Sequence, residues 1–195
     1  MCSIHYNCHF WGINRPGSNR NFDFRISLRK YKEKKKQRHR FSKRLKNMEK
    51  IDFTDQYFMK QAYLEAREAL RKDEVPVGAV VVSEGTIISR AHNLTETLND
   101  VTAHAEMLAI TSASEALGGK YLNNCTLYVT LEPCTMCAGA LNWSQIGRIV
   151  YGADDDKRGY KRMTPSPLHP RTEVIGGVMK QECGELVKQF FTGKR

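Results

Sequence analysis

The sequence predicts a three-layer α/β domain, and three observations support that fold class. Helical and extended patterns alternate from residue 54 to residue 191, which is typical of helices packed on both faces of a sheet. An apolar, β-branched run at 77–82 is typical of a strand that is buried on both faces. The chain has 195 residues, which is enough for one domain whose core can fold unaided.

The positive charge of the chain lies in its first 47 residues. That segment has 14 lysines and arginines against 2 acidic residues, whereas residues 48–195 have 17 against 19. We therefore predict a basic, disordered extension at 1–47 and a folded domain at 48–195. The extension has three competing interpretations: an RNA-contacting arm, a targeting peptide, or translated sequence upstream of a true start at Met48. We favour the third, because Met48 directly precedes the first well-patterned helix.

The folded part begins with a helix at 54–72, and Thr54 or Asp55 is expected to cap it. Its apolar residues fall on or near one side. They are Phe58, Ala62, Leu64, Ala66, Ala69 and Leu70. The strand at 77–82 comes next, and Glu84-Gly85 can turn the chain into a second strand at 86–91.

The remaining elements continue the alternation. In order, the pattern predicts a helix at 103–117 ended by Gly118-Gly119, a strand at 125–130, a helix at 134–143, a strand at 148–151, a strand near 173–175 and a helix at 179–191. The segment 154–170 contains three prolines and many charges, so we expect a surface loop there.

Six cysteines are present, but only Cys134 and Cys137 form a recognisable pair. No secretory signal precedes the domain, and no apolar run of about 18 residues could span a bilayer. These observations favour a cytoplasmic protein without a membrane segment, whose thiols bind metal rather than form disulfides.

The segments around His104 and Cys134 together predict a catalytic zinc site. A catalytic zinc takes three protein ligands and leaves the fourth position for water, and His104, Cys134 and Cys137 supply three. Both segments fall at predicted helix N-termini, where the helix dipole favours thiolate. The pattern H-x-E…P-C-x-x-C is typical of zinc nucleobase deaminases.

Glu106 is the expected proton carrier of this site. Zinc lowers the pKa of its bound water to about 7, and the resulting hydroxide can attack a ring carbon that bears an amine. Glu106 is placed to take the water's proton, give it to a ring nitrogen and then protonate the departing amine.

Each piece of this pattern also has a plainer interpretation. A lone Cys-x-x-Cys could be half of a structural zinc site or a redox pair, and a lone His-Ala-Glu is weak because helix starts commonly carry acidic residues. Their conjunction favours catalysis. The substrate stays open at this point: cytidine, deoxycytidylate, guanine, a riboflavin precursor, or adenosine within RNA.

Longer stretches around the pattern narrow that choice. They are Glu74 to Val81, Ala91-His92-Asn93, Asp100 to Met107, Thr130 to Ala140, Asp156-Lys157-Arg158-Gly159, Gly176-Gly177-Val178, Glu182-Cys183 and Phe190-Phe191. Together they closely resemble the bacterial tRNA-specific adenosine deaminase family, from about Phe53 to the C-terminus. One departure is Val101, where that family often has proline. The difference bears on the local loop and removes no ligand.

The resemblance implies a cytidine deaminase-like α/β/α domain with a central mixed five-stranded sheet. It implies a homodimer that binds one zinc per subunit and converts adenosine to inosine at the wobble position of a tRNA anticodon, using zinc-bound hydroxide and a glutamate proton shuttle. By position, the ligands are His104, Cys134 and Cys137, and Glu106 is the shuttle. Asn93 and Ala105 fall at substrate-binding positions, although Asn93 alone would suggest a turn residue.

An RNA substrate needs positive charge near the site, and Lys157, Arg158, Lys161 and Arg162 are the candidates. Lys194 and Arg195 follow at the C-terminus, and Tyr160 could stack on a base. Two rival functions remain at this stage. One is a deaminase of a free base or nucleotide such as guanine, and the other is a non-catalytic RNA-binding module in which zinc is only structural.

Overall fold

The computed structural model of the protein describes residues 54–194, together with Glu33 and Lys36. Apart from Glu33 and Lys36, the basic extension predicted at 1–47 lies outside the described residues, and so does the predicted start at Met48. From residue 54 onward the chain folds into four α-helices and five strands. In chain order they are α1 (Asp55–Arg71), β1 (Gly78–Ser83), β2 (Thr86–His92), α2 (Ala105–Leu117), β3 (Cys125–Leu131), α3 (Thr135–Trp143), β4 (Arg148–Ala153), β5 (Glu173–Gly176) and α4 (Lys180–Gly193).

The strands form one mixed sheet in the order β2-β1-β3-β4-β5. Strand β1 runs antiparallel to both β2 and β3, whereas β3, β4 and β5 are parallel. The predicted mixed five-stranded α/β sheet is confirmed. Because β3 and β4 run parallel, their C-terminal ends meet at one edge, and the segments that follow them come together there.

Strand β1 shows why the domain has three layers. Ala79 and Val81 belong to the core cluster that contains Ala109 of α2 and Leu141 of α3. Val80 and Val82 belong to the second cluster, which contains Phe58 of α1 and Cys183 of α4. Successive side chains of a strand point to opposite faces, so an uninterrupted apolar run contributes to both cores.

In helix α1, one of the apolar residues predicted to lie on or near the buried side is exposed. Thr54 caps the helix by accepting a hydrogen bond from the backbone N–H of Tyr57 at 3.3 Å, as expected. Leu64, however, is 44% exposed. At about 100° of rotation per residue, Leu64 lies on the opposite side of the helix from the buried positions. These are Phe58, Met59, Ala62, Ala66 and Ala69.

Helix α1 lies very close to strand β1. A Cβ atom at Gly78 would lie 2.2 Å from the carbonyl oxygen of Ala62 and 2.2 Å from the backbone nitrogen of Ala66. Only glycine permits this approach of two backbones. None of the helices within residues 54–194 is long and apolar enough to cross a membrane.

The segment 154–170 is more ordered than a plain surface loop. It contains a short 3₁₀ helix at Tyr160–Arg162, and both Tyr160 and Leu168 are buried. The backbone N–H of Tyr160 donates to the carbonyl of Pro133 at 3.0 Å. The suggestion that Tyr160 stacks on a base is therefore wrong, because its ring is enclosed in the core that also contains Tyr151 and Leu168.

Candidate active site

Two helix N-termini meet at the end of the sheet and carry the predicted ligands. His104 is the N-cap residue of α2, and Cys134 is the N-cap residue of α3; neither side chain caps its own helix. Cys137 follows in the first turn of α3 and is fully buried. The side chains at both caps are thus left to face each other.

The three side chains lie at distances that suit a tetrahedral metal ion. Nδ1 of His104 is 3.7 Å from Sγ of Cys134 and 3.6 Å from Sγ of Cys137. Zinc bonds of about 2.3 Å to sulfur and about 2.05 Å to nitrogen, at tetrahedral angles, separate the two ligand atoms by about 3.6 Å. One nitrogen and two sulfurs in this arrangement fit zinc and leave a fourth position open. Within the described residues, this is the one such group of three or more potential ligands.

The hydrogen bond between the two cysteines shifts their pKa values in opposite directions. A hydrogen bond from Cys137 lowers the pKa of Cys134 to about 4. The same bond raises the pKa of the donor Cys137 far above its usual range. The Cys134 thiolate in turn raises the pKa of His104, an effect that burial and the positive charge of Arg158 partly oppose. These shifts favour the thiolate at Cys134, which is the form that a metal ligand requires.

Glu106 lies in the first turn of α2 and is 4% exposed. Burial raises the pKa of its carboxyl to about 7, and the nearby charge of Cys134 acts in the same direction. The carboxyl contacts Cys137 but does not belong to the group of three ligands. A buried carboxyl beside a metal site can gain and lose a proton near neutral pH.

Asn93 joins the end of β2 to the start of α2. Its side-chain oxygen accepts a hydrogen bond from the backbone N–H of Ala105 at 2.9 Å, and its own backbone N–H donates to the carbonyl of Val77 at 3.1 Å. Both Asn93 and Ala105 are buried. Because Asn93 uses the N–H of Ala105, a substrate contact by Ala105 would need another of its atoms. The binding roles of both residues stay predictions.

The basic loop (residues 154–162) carries Lys157 and Arg158, and both side chains are exposed. The N–H groups of both residues donate to the carboxylate of Asp155 at 3.0 Å, which forms a tight turn. The side chain of Lys161 is half-exposed and forms two ion pairs. Its ammonium lies 2.6 Å from Asp154 and 3.4 Å from Glu132. Asp154 is shared with Lys180, and the role of Lys161 as an RNA contact stays a prediction.

Comparison with known proteins shows which protein family the chain matches. Residues 53–153 match the family described as the cytidine and deoxycytidylate deaminase zinc-binding region. The tRNA-specific adenosine deaminase of Aquifex aeolicus is 57% identical over 141 residues, which cover 70% of this chain and 93% of that protein. The enzyme of the same name from Agrobacterium fabrum is 46% identical over 144 residues, covering 71% and 95%.

The chain belongs to the tRNA-specific adenosine deaminase family. It is therefore an enzyme of the zinc deaminase class. A solved structure from a study of A-to-I editing by tRNA:A34 deaminases has the same fold, with a TM-score of 0.63 and 46% identity. The match covers 67% of this chain and 98% of that one. Membership of this family agrees with the donor set of His104, Cys134 and Cys137.

Sequence reasoning missed two buried carboxylates that organise the surroundings of the site. Glu74 is fully buried and accepts hydrogen bonds from the N–H groups of Glu96 and Thr97 and from the hydroxyl of Thr95, in the loop before α2. Glu132 is buried directly before Pro133 and Cys134. A usable signal was present at both, since an acidic residue within a few residues of a buried apolar strand needs partners.

Proposed function

We propose that this chain hydrolyses the wobble adenosine of a tRNA anticodon to inosine and releases ammonia. In this reaction a C–O bond to water forms at C6 of adenine and the C6–N bond breaks. The observation that carries the proposal is the identity of 46–57% to relatives of that name over nearly their whole length. The arrangement of the three ligands around a buried Glu106 supports it.

In the proposed site, His104, Cys134 and Cys137 hold one zinc ion. When bound, zinc supplies Lewis-acid activation of the attacking water at neutral pH. The side chain of Cys137 is fully buried, which keeps this ligand from solvent. The two helix N-termini add favourable dipoles for the thiolate ligands.

Glu106 moves the protons in this proposal. Its carboxylate takes a proton from the attacking water and delivers it to N1 of the adenine ring. It then takes the proton of the new C6 hydroxyl and passes it to the amino group, so that the C6 carbonyl forms as the C6–N bond breaks and ammonia leaves. The position of Glu106 in the first turn of α2, two residues after His104, keeps the carboxyl beside the ligands throughout. One carboxyl group is enough for both transfers, because each restores its starting state.

The substrate base must leave its stack to reach a buried site, which is easiest in a single-stranded loop such as an anticodon. Asn93 holds the start of α2 with its oxygen, and its side-chain nitrogen has no hydrogen-bond partner among residues 54–194. We assign that nitrogen to the flipped nucleotide. Lys157 and Arg158 are assigned to the RNA phosphates. A cytoplasmic location goes with this substrate and stays a prediction.

The combined change Lys157→Ala and Arg158→Ala should weaken binding of an anticodon stem-loop and reduce its salt dependence. Because two cations would no longer neutralise RNA phosphates, the slope of log affinity against log salt should fall by about 1.4, measured by fluorescence anisotropy. The matched control is Lys60→Ala with Lys188→Ala, which removes two exposed cations from α1 and α4 in the other helical layer. Equal slopes for the two double variants would contradict the assignment.

A homodimer is part of the proposal, and helix α3 offers the surface for it. Trp143 is 85% exposed and Met136 is 37% exposed. Trp143 follows Met136 by two helical turns, so the two side chains lie on the same side of the helix. An exposed tryptophan beside a methionine is typical of the buried centre of an interface. We assign this surface to a second copy of the chain.

Trp143→Glu should therefore weaken self-association by at least about 30-fold, because the charge would be buried at the interface. Sedimentation velocity of the zinc-loaded protein over a concentration series measures this. Leu64→Glu on α1 is the matched control, because Leu64 is exposed in the opposite helical layer. A dimer that persists in Trp143→Glu, or dissociates equally in Leu64→Glu, would refute the assigned surface.

The decisive test of the reaction uses zinc-loaded protein and a tRNA with adenosine at the wobble position. Inosine is read as guanosine by reverse transcription, and ammonia release from free guanine and free cytidine is measured in parallel. Inosine at that single site would support the proposal. Ammonia from a free base without inosine would keep the deaminase class and overturn the substrate.

A further inference from the structure

Glu132, which directly precedes Pro133 and the ligand residue Cys134, also contacts the basic loop at 154–162. Its side chain is 3% exposed, and its carboxylate accepts hydrogen bonds from the backbone N–H of Asp155 at 3.2 Å and of Lys161 at 3.0 Å. The ammonium of Lys161 lies 3.4 Å from the same carboxylate. We propose that Glu132 is a positioning residue that holds the basic loop against Cys134, so that Lys157 and Arg158 face the RNA.

The basic loop packs closely against Glu132 at Gly159, where a side chain would not fit. A Cβ atom at Gly159 would lie 2.6 Å from the carbonyl oxygen of Asp155, and closer still to the Glu132 carboxyl group. Gly159 also pairs with Cys134 as a β-bridge, next to the hydrogen bond from Tyr160 to Pro133. The loop is thus fastened to the residues on both sides of Pro133.

The hydrogen bonds lead from Glu132 to the two cations in two steps. Glu132 fixes the backbone of Asp155, and the carboxylate of Asp155 accepts the N–H groups of Lys157 and Arg158. Arg158 directly precedes Gly159, which pairs with the ligand residue Cys134. The basic loop is therefore held beside the ligands. This inference rests on the proposed function, because it takes RNA as the partner of these cations.

Glu132→Gln tests the inference in the full, zinc-loaded chain. The amide keeps the size of the side chain but directs an NH₂ group at one backbone donor, so the loop should shift. We expect the Kd and KM for an anticodon stem-loop to rise about tenfold, with kcat within about threefold and zinc content unchanged. The matched control is Glu173→Gln, which removes an exposed carboxylate at the opposite end of the parallel strands and should leave all four values unchanged.

A double-mutant cycle separates positioning from general destabilisation. Arg158→Ala should weaken RNA binding in the parent protein but change it by less than about twofold in the Glu132→Gln background. If the losses of RNA affinity caused by Arg158→Ala and Glu132→Gln add in full in the double variant, the inference is overturned. Gly159→Ala provides a second route, because its methyl group would push the loop and the Glu132 carboxyl apart without changing residue 132, and it should raise Kd in the same way. It also keeps the inference testable if Glu132→Gln fails to fold.

The parent protein distinguishes the two possible failures. If the parent forms no inosine, the proposed function is wrong, and the variants are not needed to show it. If the parent forms inosine and both Glu132→Gln and Gly159→Ala bind the stem-loop with unchanged Kd, the positioning role is wrong and the proposed function stands.

Discussion

Glu106→Gln should lower the rate of inosine formation by at least about 10³-fold while the protein keeps its zinc. The amide cannot accept the proton of the attacking water or return one to the departing amine, so both proton transfers lose their carrier. The ligands His104, Cys134 and Cys137 are unchanged, and the amide has nearly the size of the carboxyl. The loss should therefore appear in kcat, with little change in the Kd for RNA.

Single-turnover kinetics on a wobble-adenosine tRNA, with zinc measured by elemental analysis, provides the test. Glu115→Gln is the matched control, because it makes the same chemical change at an exposed position of the same helix. That variant should form inosine at the parent rate. A Glu106→Gln protein that still turns over near the parent rate, with full zinc, would remove Glu106 from the proposed mechanism.

Cys137→Ala should abolish zinc binding and with it all activity. Cys137 is fully buried and supplies one of only three ligand atoms in the group, so two ligands on separate helices would remain. Metal binding stabilises the folded state by about 4 kcal/mol when free metal is a thousand times its Kd. A strong chelator should therefore lower the Tm of the parent by several degrees and leave the Tm of Cys137→Ala unchanged.

The control for this change is Cys183→Ala. Cys183 is equally buried but lies in the other core cluster, away from His104 and Cys134. Loss of its thiol should cost about 1–2 kcal/mol of stability, while zinc content and the response to chelator stay those of the parent. Zinc retained by Cys137→Ala would refute the ligand assignment, whatever the stability of either variant.

Local patterns in the sequence were sufficient for the elements of the fold. Period and composition identified each helix and strand, and the apolar run of β1 identified a central strand, because a strand buried on both faces has no polar alternation. Gly118 ends α2 in the left-handed conformation at φ 63°, as its position after the last periodic residue predicted. Leu64 was wrongly predicted to lie on or near the buried side of α1, because it is apolar and stands between two residues of that side in the sequence.

The sequence by itself determined which residue types the two short motifs His-x-Glu and Pro-Cys-x-x-Cys offer as potential ligands, because each motif is short enough to lie on one turn of backbone. Only the tertiary structure decided which polar groups meet across long separations. Glu132 contacts Lys161, and Glu74 contacts the loop at 95–97. These partners lie more than 20 residues apart in the sequence, so no local pattern predicts the contacts. The same holds for the burial of Tyr160 and the ion pairs of Lys161. The sequence does not show whether a charged side chain is exposed to solvent or paired. Its partners depend on which distant segments the sheet brings together.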